Sequence, residues 1–173
     1  WFSIHTEFPP SGFSGGDYDF VVIGGGTAGV AGALLGAQLG AKTLLVERTD
    51  GLGGESLERG TIPRATLLSA SRARAAAYSQ ARFGLPDIED FPHVSVRKLF
   101  KHVKRIQDIV GEEVELEYFE RRGIEVLLNS EAKFITPDTL DVNGHPVNFK
   151  KVLISTGSIV DTPREYRKVG PLT

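Results

Sequence analysis

Three glycines and one glutamate have the residue types and the spacing that could bind a ligand. Gly24, Gly26 and Gly29 have the spacing GxGxxG, and Glu47 follows them in the chain. Gly24 permits a tight turn, Gly26 lets the backbone approach a pyrophosphate, and Gly29 allows a helix to pack closely on the preceding strand. A carboxylate at about 20 residues' distance can accept hydrogen bonds from the two hydroxyls of an adenosine ribose. The pattern therefore predicts a dinucleotide-binding site.

A strand, a turn, a helix and a second parallel strand must position these residues. A β-branched run at residues 20–23 precedes the glycines, small residues continue to Gly40, and a second apolar run ends at Glu47. The helix N-terminus would offer unpaired N–H groups and the positive end of its dipole to phosphate. We predict an α/β fold of the Rossmann type, with a parallel sheet, flanking helices and a small antiparallel meander.

A membrane span is the rival interpretation of the same stretch. Residues 20–41 carry no charge and are long enough to cross a bilayer, and Gly32, Gly36 and Gly40 are spaced like a helix-dimer face. The consecutive glycines at 24–26 argue against a continuous helix, because each costs about 1 kcal/mol relative to alanine. We therefore expect no transmembrane segment.

The composition excludes several functions. The chain has 173 residues, of which 40% are hydrophobic and 24% charged, as in one soluble globular domain. A net charge of −2 gives no electrostatic reason to expect nucleic acid as a partner. The absence of cysteine excludes disulfides, thiolate metal sites and dithiol redox chemistry. Four scattered histidines show no metal-ligand spacing, so we predict no metal site; they are His5, His93, His102 and His145.

Helical patterns dominate the middle of the chain. Residues 48–60 are rich in glycine and charge and are predicted to form a loop, after which a long helix runs from Ile62 to about Phe83, with Pro63 in its first turn. A proline-containing connection at 85–95 leads to an amphipathic helix with a basic start and an acidic continuation that ends at Gly123. Its apolar positions are Val96, Leu99, Phe100, Val103, Ile106 and Val110.

Strand patterns follow Gly123. Residues 123–129 are predicted to form a sheet strand, and an antiparallel meander follows with turns at Pro137-Asp138 and Asn143-Gly144. Asn-Gly favours the type I′ turn of a hairpin. A final buried strand is predicted at residues 152–154.

The segment GLGGESLERGTIPRATLL, residues 51–68, resembles the active-site segment of the class I pyridine nucleotide-disulfide oxidoreductases, the family of dihydrolipoamide dehydrogenase, glutathione reductase and mercuric reductase. The family pattern is GGTCLNVGCIPSKALL. The resemblance places the two redox cysteines of the family at Ser56 and Thr61, and the lysine beside the flavin at Ala65. The matching residues are Gly53, Gly54, Leu57, Gly60, Ile62, Pro63, Leu67 and Leu68.

This resemblance implies FAD as the cofactor, and the sequence STGS at 155–158 resembles the ATGS motif that closes the flavin domain of the family. The stretch around Glu131 and Ala132 would then pass near the adenine. No catalytic residue is predicted, because the hydroxyls of Ser56 and Thr61 have no reversible two-electron couple; Thr61 is instead a candidate helix N-cap. The implied FAD-binding residues are Gly24, Gly26, Gly29, Glu47, Gly53, Gly54, Thr156 and Gly157.

We expect an irregular arm at 1–16, the FAD-type domain at 17–160, and a tail at 161–173 where a nicotinamide domain of the family would begin. Without methionine at position 1, the chain is either a processed mature protein or a piece of a longer one. Affinity for FAD would be lower than in a whole enzyme, because fewer groups share the ordering cost of the ligand.

Three functions remain open. The first is an FAD-binding domain of an oxidoreductase-like flavoprotein that lacks disulfide redox chemistry. The second is a non-catalytic accessory subunit that associates with other protein chains in a larger, for example organellar, assembly. The third is a reductase that passes electrons from NAD(P)H through FAD to an acceptor. Fold alone does not choose among them, and the sequence does not identify the compartment.

Overall fold

A computed structural model describes residues 13–88, 90, 92–112, 114–159 and 161. The predicted arm and tail thus fall largely outside the described residues. The described strands are β1 Gly16–Ile23, β2 Thr43–Val46, β3 Ile124–Leu127, β4 Ala132–Thr136, β5 Thr139–Val142 and β6 His145–Ile154. The described helices are α1 Thr27–Gln38, α2 Gly54–Glu58, α3 Thr61–Tyr78, α4 Val96–Glu112 and α5 Leu116–Glu120, with a 3₁₀ turn at Gln80–Phe83.

The six strands form one sheet with the order β3-β2-β1-β6-β5-β4. β3, β2, β1 and β6 are parallel, whereas β5 pairs antiparallel with both β6 and β4. All four residues of β2 are buried, as expected for a parallel strand that is covered on both faces. The predicted class, a mainly parallel α/β sheet with an antiparallel part, is therefore confirmed.

Alternation along β1 divides the core between the two faces of the sheet. Val21 and Ile23 belong to one apolar cluster, which includes residues of β5 and β6. Val22 belongs to the cluster on the other face, together with Ala33 of α1 and Phe119 of α5. Successive side chains of a strand point to opposite faces, so β1 supplies both halves of the core.

Glycines on α1 bring this helix close to the sheet. A Cβ atom added to Gly32 would collide with the Leu153 side chain, and one added to Gly36 would collide with Phe20. Two of the three glycines considered above as a membrane-dimer face, Gly32 and Gly36, therefore serve packing within the domain, whereas Gly40 follows α1 in the left-handed conformation (φ 81°) with no atom near its Cβ position. Within the described residues, no helix has both the length and the apolar character needed to cross a membrane.

Three predictions around the long helix are wrong. Residues 48–60 are not all loop, since they include α2. Thr61 is not the N-cap of α3 but its first residue; Gly60 holds the cap position, with no side-chain cap hydrogen bond. The predicted single helix also stops at Tyr78 and continues as the 3₁₀ turn, which ends at Gly84 in the left-handed conformation (φ 78°).

The strand predictions were partly right. Asn143 and Gly144 form the predicted two-residue hairpin turn, with φ values of 53° and 88°, as a type I′ turn requires. The predicted separate strand at 152–154 is wrong, because these residues are the end of β6, which pairs with β5 at its start and with β1 along its length. Its last residue, Ile154, is 61% exposed rather than buried.

The amphipathic helix is present as α4 and is followed by the separate short helix α5, so the predicted acidic continuation is not one helix with it. Gly123 closes this region with φ 73°. Val103 is the buried residue of α4, and the basic residues of its first half are exposed.

Candidate nucleotide-binding site

The turn between β1 and α1 is built on two glycines that no other residue could replace without movement. Gly24 has φ 103°, and a Cβ atom on it would overlap the carbonyl of Ser155. A Cβ atom on Gly29 would overlap the carbonyl oxygen of Gly24. Gly24 therefore permits the turn, and Gly29 lets the first turn of α1 pack against it.

Gly26 has a different environment. It precedes α1 with φ −71° and ψ −175°, which any residue can adopt, and a Cβ atom on it would have no neighbour within 4 Å. The first turn of α1 contains no acidic residue. The first N–H groups of a helix have no partner within the helix, so open space and N–H groups without intrahelical partners coincide at Gly26.

Glu47 follows β2 and uses its carboxylate to hold the turn. One oxygen accepts a hydrogen bond from the N–H of Gly25 at 2.5 Å. The other accepts from the backbone N–H of Thr49 at 2.8 Å and from the Thr49 hydroxyl at 2.9 Å. An ionised carboxylate has about four lone-pair sites, so one acceptor site remains for a further donor such as a ribose hydroxyl.

Gly53 and Gly54 return to the same turn. The Gly53 N–H donates to the Gly25 carbonyl at 2.9 Å, and Gly53 forms a parallel bridge with Gly26. A Cβ atom on Gly54 would lie 3.0 Å from the Cα atom of Gly26. The two glycines have φ values of 102° and 57°, so their backbone packs directly on the open end of α1.

The end of β6 covers the turn from the other side. The Ser155 N–H donates to the Ile23 carbonyl at 2.8 Å, and the Ser155 hydroxyl lies 3.0 Å from the carbonyl oxygens of both Ile23 and Gly24. The Thr156 Cα atom lies 3.1 Å from the position of a Cβ on Gly24. Gly157 follows, exposed, with φ 74°.

The segment before β4 lies beside Glu47. The Ser130 N–H donates to the Glu47 carbonyl at 2.8 Å, and the Asn129 N–H donates to the Thr49 carbonyl at 2.7 Å. Asn143 supports this segment, since its side chain accepts from the Glu131 N–H at 3.1 Å and donates to the Ser130 hydroxyl at 3.2 Å. The stretch expected near an adenine is thus next to the expected ribose ligand.

The two positions that correspond to the redox cysteines lie on either side of the junction between α2 and α3. Ser56 is half-buried in α2, whereas Thr61, the first residue of α3, is exposed, as is Ala65.

The sequence did not indicate Gln107 of α4, whose side-chain amide donates to the carbonyls of Leu57 at 2.9 Å and Glu58 at 2.8 Å. Nor did it indicate Leu52, whose buried side chain lies against Gly25.

A charged cluster lies toward the opposite edge of the parallel strands. The hydroxyl of the buried Tyr18 donates to the Glu125 carboxylate at 2.6 Å, and the Lys42 ammonium lies 4.6 Å from the centre of the Tyr18 ring. Burial, followed by the hydrogen bond and the charge of Glu125, raises the pKa of Tyr18 above its ordinary value. This cluster is at the amino ends of the strands, away from the glycine turn.

The glycine turn, Glu47 and the end of β6 therefore meet at the carboxyl ends of β1, β2 and β6, where open α/β sheets bind ligands. The class of protein that fold and site define is a Rossmann-type dinucleotide-binding domain. The family described as pyridine nucleotide-disulphide oxidoreductase matches residues 18–169, and the chain belongs to this family. The family binds FAD, and the matched region is its FAD-binding domain.

The chain is similar to a dihydrolipoyl dehydrogenase of Trypanosoma brucei brucei, with 34% identity over 82% of this chain and 30% of the relative. It is 32% identical to a mercuric reductase of Bacillus cereus, over 85% of this chain and 23% of the relative. The solved Cu(II) complex of the HOCl-induced flavoprotein disulfide reductase RclA from Escherichia coli has the same fold, with TM-score 0.65 and 21% identity over 84% of this chain and 29% of that one. The chain thus spans less than a third of each protein.

Proposed function

We propose that this chain binds FAD at the glycine turn and does not carry out the dithiol–disulfide exchange for which family members use paired cysteines. The observation that most supports this proposal is the open space at Gly26, which lies at the N-terminus of α1 and is bordered by Gly53 and Gly54. A Cβ atom at position 26 would have no protein atom within 4 Å, so the space suits a ligand rather than packing. The first-turn N–H groups of α1 would bind the pyrophosphate there.

The other residues of the site would hold the remaining parts of FAD. Glu47 keeps one acceptor site for a ribose hydroxyl while it holds the Gly25 N–H. The segment around Glu131 would lie beside the adenine, and the exposed backbone at Thr156 and Gly157 would face the pyrophosphate side. When bound, FAD supplies two-electron redox chemistry, and the protein contributes binding and orientation.

The absence of disulfide chemistry follows from the residues at the corresponding positions. A serine or threonine hydroxyl has no sulfur to act as a thiolate nucleophile, and two hydroxyls have no reversible two-electron couple like that of a dithiol and a disulfide. Ser56 and Thr61 therefore cannot exchange electrons with a disulfide substrate. Ala65 cannot supply the positive charge of the lysine that family members place beside the flavin.

Two measurements test the two parts of the proposal: identification of the bound nucleotide and reductive titration. The purified chain is denatured and any released nucleotide is identified by absorbance and mass; we expect FAD in equimolar amount. Anaerobic titration of the FAD complex with dithionite should consume only the reductant that the flavin requires. The matched variant Ser56→Cys/Thr61→Cys, oxidised beforehand, should consume more because it adds a disulfide. Absence of FAD would contradict the first part, and excess uptake by the wild type would contradict the second.

A second candidate function is that of a non-catalytic accessory subunit that associates with other chains. The observation that favours it is the exposure of large apolar side chains on and around α3 and α4, because exposed apolar patches mark interaction surfaces. These side chains are Leu68, Tyr78, Phe83, Phe100 and Ile109, each at least 41% exposed. A defined partner chain that co-purifies in fixed ratio, without nucleotide, would favour this function over FAD binding.

A further inference from the structure

The short helix α2 depends on α4 for the hydrogen bonds of its last carbonyls. The last carbonyl groups of a helix have no partner within it, and α2 is a helix of five residues. The Gln107 amide has two N–H donors and uses them on Leu57 and Glu58, the last two residues of α2. A side chain that is 50 residues away in sequence thus completes this helix end.

Leu57 connects this contact to the glycine turn. Its Cδ2 atom lies 3.9 Å from the position of a Cβ on Gly111, one turn beyond Gln107 on α4. The same atom lies 2.8 Å from the position of a Cβ on Gly53. Leu57 is therefore packed between α4 and Gly53, and Gly53 in turn donates to Gly25.

We propose that Gln107 is a positioning residue for the nucleotide site. By binding the last carbonyls of α2, it keeps Leu57 against Gly53, and thereby keeps Gly53 and Gly54 on the turn at Gly26. The inference rests on the proposed FAD binding and deepens it, because it assigns to α4 a part in shaping the pyrophosphate site. The coupling would follow a contiguous series of contacts, from Gln107 through Leu57 and Gly53 to the glycine turn.

The chemistry of the cleft beside Gln107 allows a sharp test. Gln107 lines an open cleft, so a side chain of different length has room there. Lysine at position 107 would retain N–H donors for the two carbonyls, whereas methionine of similar size would have none. Glutamate would place its acceptor oxygens against the two carbonyl oxygens. Its charge would be further disfavoured by four acidic residues that line the same cleft with Lys104: Glu58, Asp108, Glu112 and Glu115.

The test compares Gln107→Lys, Gln107→Met and Gln107→Glu, with Lys101→Met as a control at an exposed position of the same helix. The first readout is the amide hydrogen exchange of Gly53 without FAD; the Gly24 amide, bonded to Val46 at 2.8 Å, is the internal reference. Gly53 should exchange about tenfold faster in the Met and Glu variants, the change expected from losing ~1.4 kcal/mol of local stability. Exchange should stay near the wild-type rate in the Lys variant and the control.

The second readout is the dissociation constant for FAD, which should rise about tenfold in the Met and Glu variants and recover in the Lys variant. Equal behaviour of the Met and Lys variants would overturn the inference, because size and not donor content would then matter. An unchanged Gly53 amide would also overturn it, even if the wild type binds FAD. If the wild type binds no FAD but Gly53 responds as described, the inference about α2 stands and the proposed function fails.

Discussion

The Glu47 carboxylate accepts a hydrogen bond from the backbone N–H of Gly25 at 2.5 Å. This bond ties the end of β2 to the middle of the glycine turn, and Thr49 holds the second carboxylate oxygen. Hydrogen bonds to an ionised acceptor contribute about 1.5–3 kcal/mol. The residue expected to bind a ribose therefore also orders the loop on which the pyrophosphate would lie.

Substitution Glu47→Gln should weaken both the turn and FAD binding. The amide keeps one acceptor oxygen, but its NH₂ group must face one of the N–H donors of Gly25 and Thr49. We expect a loss of about 1–2 kcal/mol in the free energy of unfolding, measured by denaturant titration. The FAD dissociation constant should rise about tenfold or more in fluorescence titration.

The matched control is Glu117→Gln, which removes an exposed carboxylate of α5 that pairs with Arg121, the residue after the helix. Such pairs contribute little, so the control should resemble the wild type. If Glu47→Gln also resembles the wild type, Glu47 has neither role.

The variants Gly26→Ala and Gly29→Ala should distinguish a glycine that leaves space for a ligand from a glycine that allows close packing. Gly26→Ala should change the free energy of unfolding by less than about 0.5 kcal/mol, because a poorer N-cap is offset by a less flexible unfolded chain. It should nevertheless abolish FAD binding, since the methyl group enters the open space at the start of α1. Gly29→Ala should lose about 3 kcal/mol, because its Cβ overlaps the backbone of Gly24.

Thermal and denaturant unfolding, with FAD titration, measure both effects. Tight FAD binding by Gly26→Ala would refute the placement of the pyrophosphate. Stability of Gly29→Ala equal to that of the wild type would show that the overlap relaxes without cost.

The glycine turn and Glu47 could be predicted from the sequence because they lie within one strand–helix–strand unit, where local spacing determines which groups meet. Gln107 could not, because its two partners lie on a helix that the chain forms about 50 residues earlier. Asn143 reaches Ser130 only because the hairpin folds it back. The break predicted before residue 152 is wrong for a related reason: alternation indicates a strand, but not that β6 pairs with β5 only at its start and continues beside β1 to Ile154.

Ser155→Ala should be tolerated. Ser155 stands at the position of the alanine in the ATGS motif, so the family pattern builds this turn without a hydroxyl. The Ile23 carbonyl keeps the Ser155 N–H as a donor, and only the Gly24 carbonyl loses a partner. We expect a loss of about 1 kcal/mol and FAD affinity within about threefold of the wild type. A loss of FAD binding in this variant would show that the hydroxyl is required to shape the site.

The Tyr18–Glu125 pair should make stability fall at alkaline pH. The pKa of Tyr18 is raised, first by burial and then by Glu125, so the folded state keeps the phenol proton at pH values where the unfolded state has lost it. Stability is fully present below the ordinary tyrosine pKa of about 10 and is lost as pH rises toward the folded pKa, by ~1.4 kcal/mol per pH unit. Tyr18→Phe has no such proton and should lack this slope.

The measurement is the free energy of unfolding of the wild type and of Tyr18→Phe between pH 8 and 11. The difference between the two proteins cancels the titration of the groups that they share. This difference should change by about 1 kcal/mol between pH 8 and pH 11. Glu125→Gln is the informative third variant, because it keeps an acceptor for the Tyr18 hydroxyl while removing the negative charge beside it. Burial is the larger cause of the shift, so the slope should persist in Glu125→Gln over a narrower range of pH. If the free energy of unfolding of the wild type changes with pH in the same way as that of Tyr18→Phe, Tyr18 loses its proton equally in the folded and unfolded states. The cluster at the amino ends of the strands would then not hold this proton.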